Sequence, residues 1–313
     1  MQALVECDKP EIMKKITLFI AALAALASCQ KPETPSSADQ QDPSNDLMPI
    51  NLSLDLQTKV SDTYFDEGDQ VGIYVVRHEE WNWGDPYLGD SGNTYDNVCH
   101  TYNWGSWSFG EMYWQDKHTP CDFYCYYPYT DYVSSAQSHF FTVNPDQSSL
   151  ENYKRSDFVW GKAYMVSPTA DQINIDTRHV MSNAVIYLRP GDGFTAEAFQ
   201  AADIHVRIRN VMCDSYVNLS NGNVTATNYT QEITPYNEGD RYRAVVVPQT
   251  VPDGSELIVV TVNGTEYAFK KGFTFDSGRQ HKFTVTVNKT GSGVNVGVGG
   301  WDEDGNDNGG DAE

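Results

Sequence analysis

The chain predicts an all-β fold of two tandem Greek-key β-sandwiches. Three observations carry this expectation. Many short segments alternate apolar and polar residues with period 2, and Gly-containing dipeptides stand between them. No segment sustains a 3.6-residue period beyond a short helix expected over 195–202. Short strands joined by turns and long connections are the pattern of sandwiches, not of parallel sheets wound with helices.

Ile50, Leu52, Leu54 and Leu56 alternate with Asn51, Ser53 and Asp55, so a first strand carries one apolar face. Val71–Val76, Asp122–Tyr127, Ile173–Ile175 and Ala184–Leu188 continue the series. Ile204–Ile208, Ala244–Val247, Leu257–Val262, Glu266–Phe269 and Phe283–Val287 complete it. Asp253-Gly254, Asn263-Gly264 and Ser277-Gly278 supply residues that accept positive φ, the chemistry of tight turns. Aromatic residues then mark a boundary: 25 of the 39 lie within residues 50–178, and the remainder is rich in Val and Thr. The expected units are 50–177 and 178–300, followed by an acidic, Gly-rich tail over 301–313 that is expected to form no strand of its own.

The amino-terminal region is of a different kind. Met13-Lys14-Lys15 and the 12 residues Ile16–Ala27 form a basic start and a short apolar run. A membrane-spanning helix needs roughly 20 residues, so residues 1–28 read as a secretory signal region with Met13 as its expected start. The run ends in Leu26-Ala27-Ser28-Cys29, which resembles the lipobox of bacterial lipoproteins. Acylation of Cys29, palmitate included, would add about 0.8 kcal/mol of membrane affinity per buried methylene. Residues 29–49 are rich in Pro, Ser, Asp and Gln and have little to bury, as expected of a tether.

Charge excludes some partners. The 313 residues carry 43 acidic against 21 basic groups, a net charge of −22. Nucleic acid needs a basic surface that releases counterions, so it is not an expected partner. Catalytic signatures are missing: there is no GxSxG, HExxH, GxxxxGK[ST] or post-strand GxGxxG, and the seven His are scattered. Asp302, Asp304 and Asn306 hint at a calcium loop, but Asp307 stands where Gly is required and no closing Glu follows. No enzyme, metal or cofactor is expected. Cys99, Cys121, Cys125 and Cys213 lack zinc spacing; buried thiols or disulfides are both open to them. Trp81 and Trp83 lie in a polar, turn-rich stretch, where they could stack on sugars or pack into the core.

Several segments together resemble the fimbrillin family. These are Thr58-Lys59-Val60, then Phe65-Asp66-Glu67-Gly68-Asp69-Gln70-Val71-Gly72-Ile73-Tyr74, and Met112-Tyr113-Trp114 leading into Asp122–Tyr129. Ser156–Ala163, His179–Val185, Val246–Thr250 and Ser277–Gly291 extend the resemblance over essentially the whole mature chain. It implies transthyretin-like sandwiches and a lipid-anchored fimbrium at the outer membrane and cell surface. Assembly with other pilus subunits is implied to follow donor-strand exchange: a protease cuts after a basic residue, a first strand leaves, and a neighbour's strand replaces it. On this chain the processing position is Lys59, and the displaced strand carries Ile50, Leu52, Leu54 and Leu56. The donor region would hold Val294, Val296 and Val298. The alternatives are a permanent first strand, as in an anchor, and a surface carbohydrate-binding lipoprotein with Trp81 and Trp83 as platforms, its partner a host or bacterial glycan or protein.

Overall fold

The computed structural model describes residues 47–56, 65–78, 87–108, 111–289 and 311–312. Among these, the chain first runs through β1 (Asn51–Leu56), β2 (Gln70–Arg77), β3 (Tyr95–Asn103), β4 (Ser106–Ser108), β5 (Cys121–Tyr127) and β6 (His139–Thr142). Helix α1 (Leu150–Arg155), β7 (Val159–Val166), β8 (Gln172–His179), β9 (Ser182–Pro190) and helix α2 (Ala196–Gln200) follow. Next come β10 (Ile204–Met212), β11 (Asp214–Val217), β12 (Val224–Ala226), β13 (Thr230–Ile233), β14 (Tyr236–Asn237) and β15 (Tyr242–Val246). The last are β16 (Gln249–Val251), β17 (Glu256–Val262), β18 (Thr265–Lys270), β19 (Phe273–Phe275), β20 (Gln280–Val287) and β21 (Asp311–Ala312).

The molecule is an all-β sandwich protein. Seven strands form one sheet in the order β1-β8-β7-β5-β2-β3-β4. Two further sheets, β13-β10-β17-β18 and β14-β15-β9-β20-β21, turn apolar residues such as Ile208, Val260, Ile186 and Phe283 into one common core. Asn263 and Gly264 take φ of 48° and 81° between β17 and β18, the geometry that an Asn-Gly hairpin turn requires. Thr195 caps α2 by accepting a hydrogen bond from the Ala198 amide, in keeping with the short helix expected there. One expectation fails: Asp311–Ala312 pair in parallel with Thr286–Val287 at the margin of β20. Main-chain hydrogen bonds need no apolar side chain, so an acidic tail can still extend a sheet.

β2 and β5 are buried on both faces. Val71, Ile73, Val75, Cys121, Phe123 and Cys125 face a smaller core, while Tyr74, Val76, Tyr124 and Tyr126 face the larger one. This explains why QVGIYVVR and CDFYCYY read as nearly continuous apolar runs. Close packing also dictates Gly72, since a Cβ there would lie 2.2 Å from Tyr126 Cε1. The thiols of Cys121, Cys125 and Cys213 are unbridged and buried, and burial raises their pKa, to about 12 at Cys121 and Cys213.

Strands from either side of residue 178 are stitched together. β6 pairs with β11 in a small sheet ordered β12-β11-β6. Gln147 is fully buried and imitates a strand: its Nε2 donates to Val245 O at 2.8 Å and its Oε1 accepts from Val245 N at 2.8 Å. Trp160 of β7 donates from Nε1 to Leu219 O at 2.7 Å, lies against Gly222 and is covered by the Arg178 guanidinium. Gly222 has φ +76°, and a Cβ there would come within 2.7 Å of the indole.

Trp160→Ala is therefore expected to lower unfolding free energy by about 3–5 kcal/mol in denaturant titrations. A second expectation concerns His100, which is 1% exposed on β3. Burial lowers its pKa to about 4, against a backbone hydrogen bond to Ser108 that acts in the opposite direction. Because the folded value lies below the ordinary 6.5, the unfolded chain binds more protons between pH 6.5 and 4. Stability is then full above pH 6.5 and declines as pH falls toward 4, by on the order of 3 kcal/mol. Thermal unfolding of His100→Gln across this range should show a shallower acid decline.

Candidate functional site

The first strand sits at a sheet margin. β1 lies at the margin of the seven-stranded sheet and pairs only with β8 among the named strands, in parallel, from Asn51↔Gln172 to Leu56↔Thr177. Its alternation places Ile50 and Leu52 in the smaller core at 3% and 2% exposure, with Leu54 packed against the same core and half-buried. Beside them on β8 are Ile173 and Ile175, in register with Leu52 and Leu54, and Met112, Trp114, Ile73 and Phe123 belong to the same core. Leu56 ends the strand. Full burial of an Ile or Leu side chain is worth roughly 1.5–3 kcal/mol each, so this strand contributes several kcal/mol through two residues.

Beyond that single ladder, β1 is held at its start by a clasp the sequence does not announce. Ile50 N donates to Met112 O and Trp114 N to Met48 O, both at 2.9 Å, with Pro49 and Tyr113 bridged between them. Tyr95 of β3 secures the clasp: its hydroxyl accepts from Tyr113 N at 2.8 Å and donates to Tyr113 O at 3.0 Å. Trp114 Nε1 reaches Thr169 O at 3.0 Å. The following turn is tied by Asp116, whose carboxylate accepts from the amides of Thr119 and His118 at 2.7 Å and from Arg77. Those amide bonds, Thr119 first, hold its pKa down to about 2. The only sequence signal for this clasp is the motif Met112-Tyr113-Trp114, which carries no strand-like alternation.

Other singled-out residues divide plainly. Trp107 and Trp114 are core, whereas Trp104 is 91% exposed at the tip of the β3–β4 hairpin, where its amide donates to Glu67. Cys29, Lys59, Trp81, Trp83, Val294, Val296 and Val298 lie outside the described residues. One buried ionic group joins several strands. Asp122, 0% exposed, contacts His78 Nε2 at 2.8 Å, Lys162 Nζ at 2.9 Å and the Met165 amide at 2.8 Å. Burial alone would lower the Lys162 pKa, but hydrogen bonds to Asp122 and Tyr124 raise it. Through these contacts Asp122 ties β5 to β7 and to the end of β2. Among the described residues, no three His, Cys, Asp or Glu side chains are grouped to hold a metal.

The architecture defines a β-sandwich protein whose smaller core is completed by an edge strand. The chain belongs to the fimbrillin-like family, whose sequence model matches residues 58–301, beginning just past β1. Among solved structures it is similar to a candidate cell adhesion protein from Bacteroides uniformis, at 18% identity and a TM-score of 0.60. That match covers 87% of this chain and 98% of the other. A candidate cell adhesion protein from Bacteroides ovatus matches at 16% identity and a TM-score of 0.59, over 77% of this chain and 92% of the other. At such identities the likeness concerns the fold. No curated protein matches the chain.

Hydrogen exchange resolved along the chain should find β1 opening before β2 and β5, because an edge strand with one ladder detaches without unfolding the sheet. Leu52→Ala should cost about 2–5 kcal/mol and widen that difference. Equal protection of β1 and β5 would count against a separately removable strand.

Proposed function

We propose that the protein is a structural or adhesive component of a cell-surface pilus and assembles by donor-strand exchange. The observation that supports this reading most directly is β1: apolar on one face, at a sheet margin, and covering a core of Ile173, Ile175, Met112 and Trp114. If it left, a strip of that core would be exposed, and exposed apolar surface of this kind is a binding site for another strand. An incoming strand would restore the β8 ladder through main-chain hydrogen bonds and set its register through alternate side chains. The donor in this proposal is the Val294, Val296 and Val298 region of a neighbouring subunit, and the release point is the bond after Lys59. Membership of the fimbrillin-like family supports the same reading.

The proposal includes a lipid anchor on Cys29, export to the outer face of the outer membrane, and units 50–177 and 178–300 that share the larger core. No catalytic step is assigned to it. Treating the full chain with a trypsin-like protease should produce a new terminus at Val60 and a ladder of oligomers that resists mild denaturation. Lys59→Ala should abolish both. A chain cut at Lys59 that stays monomeric, or that is not cut, removes the stalk role and leaves that of an anchor or tip. Metabolic labelling with palmitate should mark the wild-type chain and not Cys29→Ser.

A further inference from the structure

A second surface, remote in sequence from β1, carries the features of a sugar-binding site. β6 and β11 present Phe140 and Tyr216 as direct cross-strand partners, with ring centroids 5.6 Å apart. Both remain open to solvent, at 51% and 44% exposure. Beside Phe140 lies an open groove of about 330 Å³, walled by Tyr129 and Tyr132, the latter 76% exposed. Thr130, Ser134 and Thr142 place hydroxyl groups along it, and Thr142 Oγ1 donates to Asp214 Oδ1 at 2.7 Å. Phe140 and Tyr216 pack on each other but leave about half of their surface in water, which sets them apart from the buried tyrosines of β5.

We propose that this groove binds a neutral glycan, with Phe140, Tyr216 and Tyr132 stacking on the apolar faces of successive sugar rings. The Thr142 hydroxyl oxygen and the Asp214 carboxylate then accept hydrogen bonds from sugar hydroxyls at the rim. The volume falls at the low end of small-ligand sites, which combine aromatic walls with a few placed polar groups. β6 is only four residues long, a short template for a peptide strand. Charge selects among glycans. Among the described residues no Lys or Arg lines the groove, and with Asp214 at its rim and a net charge of −22, acidic sugars are repelled. This deepens the adhesive side of the proposed function and differs from the Trp81 and Trp83 platform expected from sequence.

The test uses the purified full chain in native gels containing soluble glucan, mannan or galactan, with hyaluronan as the acidic comparison, alongside a glycan array. At least one neutral polysaccharide should retard the protein, and hyaluronan should not. The double variant Phe140→Ala, Tyr216→Ala should weaken that binding at least tenfold. Asp214→Asn, which leaves the exposed rings in place, should weaken it severalfold, and Trp104→Ala should leave it unchanged. Absence of binding to every neutral glycan overturns the inference. So does undiminished binding by the double variant, loss of binding in Trp104→Ala instead, or preferential binding of hyaluronan. A change of oligomeric state in the double variant, seen by sedimentation without any glycan effect, also overturns it in favour of a protein interface. The oligomer ladder after cleavage at Lys59 is read separately, so glycan binding can fail while the assembly reading stands.

Discussion

Dry packing on both faces of β2 and β5 is the constraint on which the rest of the molecule depends. Val71, Ile73 and Phe123 on one face and Tyr74, Tyr124 and Tyr126 on the other all need cover, and a single sheet cannot cover itself. The two covers differ in kind. The larger core is closed by the sheets formed after residue 178, with many strands and long apolar ladders. The smaller core is closed by one edge strand, a short clasp at Met112–Trp114 and side chains such as Trp107. Hydrophobic burial scales with area, so the first cover is the stronger of the two.

Polar groups buried between these layers are matched rather than avoided. Gln147 completes a strand margin, and Arg243, 4% exposed, binds Glu238 and the Tyr153 hydroxyl while lying over the Tyr153 ring. Asn183 donates to the same hydroxyl at 2.8 Å. Such groups cost stability when one partner is removed, and in exchange they specify which surfaces meet. On the sheet β13-β10-β17-β18, Arg207 and Arg209 interleave with Glu232, Glu256 and Glu266, so much of the charge on that surface sits in mutual contact.

Much of the strand inventory is legible from alternation alone. The segments at Val71, Asp122, Ile173, Ala184, Ile204, Leu257, Glu266 and Phe283 fall within strands, and the one at Ala244 overruns β15 by a single residue, Val247. What alternation misses is equally consistent. β3, with Tyr95-Asp96-Asn97-Val98-Cys99-His100, is mostly half-buried and shows little contrast between its faces. β6, β12, β14 and β16 have two to four residues, too few for a period to register. The tail strand β21 rests on main-chain pairing, which leaves no mark on side-chain choice. Sequence therefore reports strands that bury one face well, and is silent on strands held by their neighbours.

The same division applies to function. Residue type and spacing are enough for the all-β class, the apolar face of Ile50, Leu52 and Leu54, and the family to which the chain belongs. The three-dimensional arrangement puts β1 at a sheet margin, parallel to a strand 121 positions later in the register Asn51↔Gln172. It alone placed Tyr95 against the clasp, and Phe140 beside Tyr216 in the open. Pairing partners distant in the chain are chosen by the whole set of competing contacts, and that choice depends on three-dimensional packing rather than on any local pattern.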